Sequence, residues 1–538
     1  MIRLVGFLVF FIFVGVIGEN EQCDTDNCHV KFAFASYYQD NMVLQRAPHK
    51  SVIWGYGKLD AKVTVLVMQD EYTTHVQLGT SNIPVWSVTL KPYNYIGGPH
   101  KIQAIQEHNG VNSTALISNI MFGDVWVCGG QSNMKFTVAM AFNASYELSL
   151  APKYPNVRVM TVGDDRSNEP LHDFKNLEQP WSVPSKHSLT GDNVEWTYFS
   201  SLCWLYGRYL YDFLKVPIGL VSSNWGGTPI ETWSSTDALK KCGLHLCDEP
   251  DFKLEMRNRT ITKVPRSNSA LWNAMIHPML NMTIKGAIWY QGETNYDYHN
   301  AEYACSFPAM INDWRDKWLE GTRGQTDKKF PFGFVQISTT TESDRPNDGQ
   351  YPVIRWRQTA NYGYVPNEKM RNTFMAVAMD LADNDSPTGG IHPRDKQTVA
   401  ARLLLGSMRV AYGRKDINPD GPLPQSAVHT PAGYVVLSYQ DDQPLVVTKQ
   451  QDFAVCCDGE CSMYDPTPSP YWVVAPIASY SNRHVILDTR KCLEKGDSPK
   501  FIRYAWALTP CEYKKCSVYN TRGLPGPPFY IEVKNEDP

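Results

Sequence analysis

Ser132 stands where a hydroxyl could attack a carbonyl. It follows the apolar run at residues 124–128 and the pair Gly129-Gly130, and it lies within Gly130-Gln-Ser-Asn-Met134. A serine hydroxyl becomes a nucleophile when a neutral imidazole takes its proton. The oxyanion formed on attack then needs two or three fixed donors. His392, in Gly389-Gly-Ile-His-Pro-Arg-Asp-Lys396, is the candidate base. Pro393 directly after it suits the first position of a helix. Gly226 and Gly227, within Asn224-Trp-Gly-Gly-Thr-Pro-Ile-Glu231, are candidate oxyanion donors. So are Gln291 and Asn295, within Tyr290-Gln-Gly-Glu-Thr-Asn295. Gln131, Glu231 and Glu293 are candidates for hydrogen bonds to a substrate. Each fragment alone has a plainer reading: a helix cap, a tight loop, a polar turn. His277-Pro278 ends a helix-like segment and follows no strand, so it takes the structural reading.

These residues gain force from where the elements place them. Short apolar runs at 124–128, 217–222, 286–290, 332–337 and 374–379 read as strands. Helix-like patterns at 200–213, 268–278 and 393–412 alternate with them. Such alternation predicts an α/β domain with a mostly parallel sheet. In such sheets the site lies beyond the carboxyl ends of the strands. The Ser132, Gly226, Gln291 and His392 loops all fall there. Residues 29–116, rich in β-branched and aromatic runs parted by turns, predict a β-sandwich. Residues 420–538 return to strand-like runs and hold six of the 13 cysteines. The catalytic stretch is then 117–413, and 240–265, basic and without periodicity, reads as an exposed insertion within it.

The chain has 51 basic and 55 acidic residues, a balance that argues against nucleic acid or an anionic membrane as the main partner. Its 15 Trp and 29 Tyr suit sugar-facing clefts and large cores alike. Residues 1–18 read as a signal peptide, with a charged start, an apolar core and small residues before the cut. No later run is long and apolar enough to span a membrane. Thirteen cysteines fit an oxidising compartment, and the odd number leaves at least one unpaired. Cys128, ending a buried strand, is the expected unpaired one. Cys23 with Cys28, Cys242 with Cys247 and Cys511 with Cys516 are candidate local pairs. Cys and His spacing suggests no zinc site. Asn112, Asn143, Asn258, Asn281 and Asn384 stand in glycosylation sequons.

The four loop blocks together resemble those of the SGNH hydrolases and, more closely, the sialate O-acetylesterases. Asp40-Asn-Met-Val-Leu-Gln-Arg46 and Tyr519-Asn-Thr-Arg-Gly-Leu-Pro-Gly-Pro-Pro-Phe529 extend the resemblance over nearly the whole mature chain. It implies a flavodoxin-like parallel-sheet domain with Ser132 as nucleophile and His392 as base. It implies a second-block glycine and Gln291 or Asn295 as oxyanion donors, and no metal or other cofactor. The implied reaction is removal of O-acetyl groups, chiefly 9-O, from sialic acids, free or on glycoconjugates, through an acetyl-serine intermediate. A secreted or lysosomal protein is expected.

One departure matters. SGNH enzymes commonly place an aspartate two or three residues before the histidine, and here those positions are Gly390 and Gly389. The expected arrangement is a Ser–His dyad whose imidazole is oriented by a backbone carbonyl near Gly389-Gly390. The alternative is that Asp385, Asp383 or Asp380, further upstream, folds back as a third member. Arg355 and Arg357 are candidates for the sialate carboxylate, which an arginine fork matches. Competing readings are an esterase of another acetylated carbohydrate and a non-catalytic sugar-binding protein. A lipase is disfavoured, because the second glycine of the Gly-x-Ser-x-Gly elbow is missing.

Overall fold

One strand organises the molecule. The computed structural model describes residues 31–535, apart from 80–81, 95–96, 192–194, 245–251, 256–260, 342–349, 441–443, 449–451, 458–459, 466–468, 470 and 495. Strand β1, Val111–Gly130, serves two neighbourhoods in turn. Its first half pairs antiparallel with His100–His108, part of a meander with Lys62–Val67 and Asp70–His75. Its second half, from Asp124, pairs parallel with strands on both sides. The burial pattern changes accordingly. The first half is largely exposed on one face, and residues 120–130 are buried throughout. This is the signature of a strand passing from a one-sided antiparallel sheet into a sheet covered on both faces. The change of pattern expected near 117 is therefore a change of pairing partners inside one strand, with no linker.

The covered sheet also contains β2 (Val157–Val162), β3 (Leu177–Ser182), β4 (Ile218–Asn224), β5 (Gly286–Tyr290), β6 (Phe332–Gln336) and β7 (Thr373–Val377). Their order is β3-β2-β4-β1-β5-β6-β7, parallel from β2 to β7, with β3 antiparallel at the edge. Helices α1 (Ser132–Lys135), α2 (Ser201–Leu214), α3 (Tyr303–Gly321), α4 (Gln350–Arg357) and α5 (Lys396–Val410) connect or cover the strands. The segment expected as a helix at 268–278 is instead a π turn, Trp272–Ile276, followed by a 3-10 turn at His277–Met279. Pro278 lacks the N–H that an α-helix would need there. His277 is structural, with Nδ1 2.8 Å from the Leu171 carbonyl.

The flanking regions are joined to this sheet through shared cores. Val63, Val65, Trp54 and Trp86 of the N-terminal strands lie in one apolar cluster with Val125 to Cys128. In the C-terminal region, Val455, Val485 and Ile502 pack in a cluster that takes in Val353, Trp356, Val377 and Met379. The insertion is only partly among the described residues. Its strands Phe252–Glu255 and Ile261–Val264 form a hairpin, and Val264 is buried against Gly227, so this end is not exposed as expected.

The cysteine pairing corrects two expectations. Cys128 is not free: it is bonded to Cys203 on α2, which lies against the sheet. Cys242 is bonded to Cys305 on α3 rather than to its neighbour Cys247. Cys511 and Cys516 do pair, as do Cys456 with Cys461 and Cys457 with Cys492. Cys23, Cys28 and Cys247, the signal-peptide segment and Asn258 lie outside the described residues. Of the remaining sequon residues, Asn112, Asn143 and Asn384 are exposed and Asn281 is half-buried. Among the described residues no helix is long and apolar enough to cross a membrane, and no group of His, Cys, Asp or Glu is arranged to hold a metal.

Cys128–Cys203, on the strand that leads to Ser132, joins residues 75 apart in sequence. Replacing both cysteines by alanine is expected to cost about 2–5 kcal/mol of stability, measured by denaturant unfolding against the unmodified chain.

Candidate active site

Two close approaches fix Ser132. Gly130 has φ +142°, and a Cβ there would stand 2.2 Å from the Tyr290 carbonyl oxygen, so only glycine fits. The Gln131 amide then donates to that same carbonyl at 3.0 Å, which turns the chain out of the sheet. Helix α1 starts at once, and the Met134 and Lys135 amides both donate to the Gln131 carbonyl at 2.9 Å. Ser132 therefore occupies the first turn, where backbone N–H groups have no intrahelical partner. The second approach comes from the loop after β4. A Cβ on Gly226 would lie 3.4 Å from the Ser132 Cβ, whereas Gly227 faces Val264. Among the described residues, the Ser132 and Gly226 amides donate to no other group. Both remain available to an oxygen beside Ser132 Oγ.

His392 completes the pair. Its Nε2 lies 2.8 Å from Ser132 Oγ, and its Nδ1 lies 2.8 Å from the Thr388 carbonyl oxygen. A carbonyl can only accept, so Nδ1 carries the proton and Nε2 presents its lone pair to the serine. The loop that does this is tightly bonded. Gly389 N–H donates to the Ser386 carbonyl at 3.0 Å, His392 N–H to the Gly389 carbonyl at 3.0 Å, and the Ser386 hydroxyl to the His392 carbonyl at 2.7 Å. Both ring nitrogens thus have partners other than the candidate aspartates. Asp385 is exposed. Asp383 is taken by Arg394, whose Nε and Nη2 lie 2.7 Å from its two oxygens. Burial would raise the Asp383 carboxyl, but the hydrogen bonds and charge of Arg394 outweigh it and hold the group below its ordinary value.

An aromatic ring walls the histidine. Trp196 meets His392 edge to face, 5.1 Å between centroids, and its backbone φ is +58°. That conformation is an outlier for a bulky residue and is concentrated at functional sites.

Several sequence candidates serve the scaffold instead of the cleft. Gln291 is buried and spends its amide on the Thr228 carbonyl and Asn295 Oδ1, while accepting from the Tyr303 hydroxyl at 2.9 Å. Asn295 donates to Glu231 at 3.0 Å and to the Tyr298 carbonyl at 3.1 Å. With both N–H bonds of each amide engaged, neither side chain is an oxyanion donor. Glu231 is fully buried in the same network. Gln131 differs: its oxygen accepts from the Gly292 and Thr294 amides at 3.4 and 3.3 Å, and its NH₂ has no partner among the described residues.

The arginine candidates also move. Arg355 is fully buried and donates to four main-chain carbonyls: Ile337 and Ser338 of the catalytic region, Ala507 and Leu508 of the C-terminal region. It clamps the two regions together and cannot meet a substrate carboxylate. Arg357 is bonded to Asn300 and to the Tyr464 hydroxyl.

Three residues that sequence reasoning passed over lie under the Ser–His pair. Asn133 Nδ2 donates to Glu293 Oε1 at 2.6 Å and to the Ile391 carbonyl at 2.9 Å. Lys396 Nζ donates to Asn133 Oδ1 at 2.7 Å and to the Pro393 carbonyl at 2.6 Å. Thr388 supplies the carbonyl on His392. Asn133 and Lys396 stood inside the quoted motifs, but a buried lysine is not legible from its neighbours in sequence. Nothing in the sequence singles out Thr388 or Trp196.

Two family models match the chain. One, described as carbohydrate esterase, sialic acid-specific acetylesterase, covers residues 122–393, and the other, the sialate O-acetylesterase C-terminal domain, covers residues 425–533. The sialate O-acetylesterase of Rattus norvegicus is 46% identical over 534 residues, covering 94% of this chain and 95% of that protein. That of Homo sapiens is 42% identical over 517 residues, covering 95% and 94%. The crystal structure of a carbohydrate acetylesterase from Xanthomonas citri shares the fold, with a TM-score of 0.73 at 24% identity over 93% of this chain and 99% of that one.

The clamp assigned to Arg355 has a measurable consequence. Arg355→Met leaves four carbonyls without their donor, so stability is expected to fall by at least about 3 kcal/mol in denaturant unfolding. KM for an acidic substrate should change less than about threefold, whereas loss of a carboxylate-binding arginine would raise KM and spare stability.

Proposed function

This chain belongs to the sialate O-acetylesterase family, and from that premise we propose that it is a serine esterase that removes O-acetyl groups, chiefly 9-O, from sialic acids. The observation that carries the reading is the 2.8 Å approach of Ser132 Oγ to a His392 Nε2 whose tautomer is fixed from behind. Ser132 Oγ attacks the acetyl carbonyl as Nε2 takes its proton. The oxyanion settles against the Ser132 and Gly226 amides, donors already fixed before the charge develops. His392 returns the proton to the departing sugar oxygen, leaving acetyl-Ser132. Water, deprotonated by the same imidazole, then releases acetate. In this scheme the Thr388 carbonyl does the orienting work often given to an aspartate, and Gln131 offers its NH₂ to a substrate oxygen. Ser132, Gly226 and His392 supply nucleophile, donors and base, so the scheme invokes no cofactor.

The wider reading follows the same support. The catalytic region fits an SGNH-type parallel-sheet domain, flanked by β-rich regions at 29–116 and 420–538. Five disulfides among the described residues and the signal-like residues 1–18 fit a secreted or lysosomal protein.

Acetate release from 9-O-acetyl-N-acetylneuraminic acid tests the reaction. The unmodified chain should be active with chelator present, and Ser132→Ala should be inactive. Full activity in Ser132→Ala would remove the nucleophile assignment, and preference for neutral acetylated sugars would redirect the substrate. For the dyad, Asp385→Asn is expected to lose less than about tenfold in kcat. A loss near 10⁴-fold, the scale of a misoriented imidazole, would instead place that aspartate in a triad.

A further inference from the structure

Lys396 sits where physics disfavours a cation twice. Its side chain is fully buried, and it occupies the first residue of α5, at the positive end of the helix dipole. Burial pushes its ammonium down to about 7, against the opposing pull of Glu293, Asp395 and Asp383. Two of those carboxylates have closer partners: Asp383 pairs with Arg394, and Asp395 takes the Thr398 amide and the Tyr513 hydroxyl. Glu293 is reached through Asn133, whose amide accepts from Lys396 on one side and donates to the carboxylate on the other. The rings of Phe136 and Tyr290 stand 4.5 and 5.4 Å from Nζ.

The contacts show what this costly group holds. Asn133 follows Ser132. The carbonyls of Ile391 and Pro393, on either side of His392, receive hydrogen bonds from Asn133 and Lys396. One buried relay thus grips the nucleophile's turn and both flanks of the base. We propose that Lys396, acting with Asn133 and Glu293, is a positioning element that sets the register of Ser132 against His392.

This rests on the Ser132–His392 reading of the site. It also carries an unusual expectation for stability. A lysine whose folded value lies below its unfolded one binds its proton more weakly in the fold, so it burdens the native state fully below about 7. Neutralising both ends of a buried charge relay is often neutral or stabilising. The test is therefore Lys396→Met combined with Glu293→Gln, which leaves no unpaired buried charge. Both kcat and KM for 9-O-acetyl-N-acetylneuraminic acid, and Tm, are measured at pH 6 beside the unmodified chain and Ser132→Ala. The expected result is kcat lower by at least about 30-fold, KM within threefold, and Tm equal or higher. Retention of kcat within about threefold, with Ser132→Ala inactive, would overturn the positioning role alone. A kcat loss accompanied by a fall in Tm of more than 5 °C would also overturn it, since the relay would then be only structural. Activity in Ser132→Ala would overturn the site reading beneath it.

Discussion

The contact between Ser132 Oγ and His392 Nε2 joins residues 260 apart in the chain, and most of the fold around it can be read as the means of holding it. A hydrogen bond of 2.8 Å tolerates little drift, yet its two partners lie beyond the ends of β1 and β7, three strands apart in the sheet. Parallel pairing fixes the strand ends. What remains is the fall of two loops, and each is tied down by its own backbone. Gly130 against Tyr290 directs the first, and the Ser386–His392 turn closes the second. The imidazole is oriented by a main-chain carbonyl, so the orienting group belongs to the loop itself and cannot rotate away as a side chain could.

The sequence revealed the strand ends because apolar runs there give way abruptly to glycine and polar residues. That is why Ser132, Gly226 and His392 were legible, and why the expectation of a carbonyl near Gly389-Gly390 came within one residue of Thr388. Donor chemistry was visible, but direction was not. Gln291, Asn295 and Arg355 have the right groups for an oxyanion or a carboxylate, and all three spend them on buried protein atoms. Cys128 was misjudged for a related reason: its partner is on a helix whose packing against the strand is a tertiary fact. Strands β2 and β3 were missed because Val157-Arg-Val-Met-Thr-Val162 and Leu177-Glu-Gln-Pro-Trp-Ser182 carry polar residues that only the folded context buries or tolerates.

The C-terminal region is built into the catalytic one. Arg355 reaches across to Ala507 and Leu508, and Asp380, paired with Arg402, also accepts from the Tyr519 hydroxyl. Asp395 at the cap of α5 accepts from Tyr513. The helix that starts at Lys396 is therefore braced from the C-terminal side, and the loop bearing His392 inherits that support.

The double service of β1 has a bearing on biogenesis. Its amino half can complete the meander as soon as it leaves the ribosome, because every partner there is already made. Its carboxyl half, Val125-Trp-Val-Cys128, then projects as a sticky apolar ribbon with both edges open. Neither neighbour exists until the chain has been extended to Ile218 and Gly286, and Cys128 waits equally for Cys203. The nascent protein must pass through a long interval in which this apolar segment is already anchored and still uncovered. Chaperones that shield exposed apolar segments have their greatest leverage on yield in that interval.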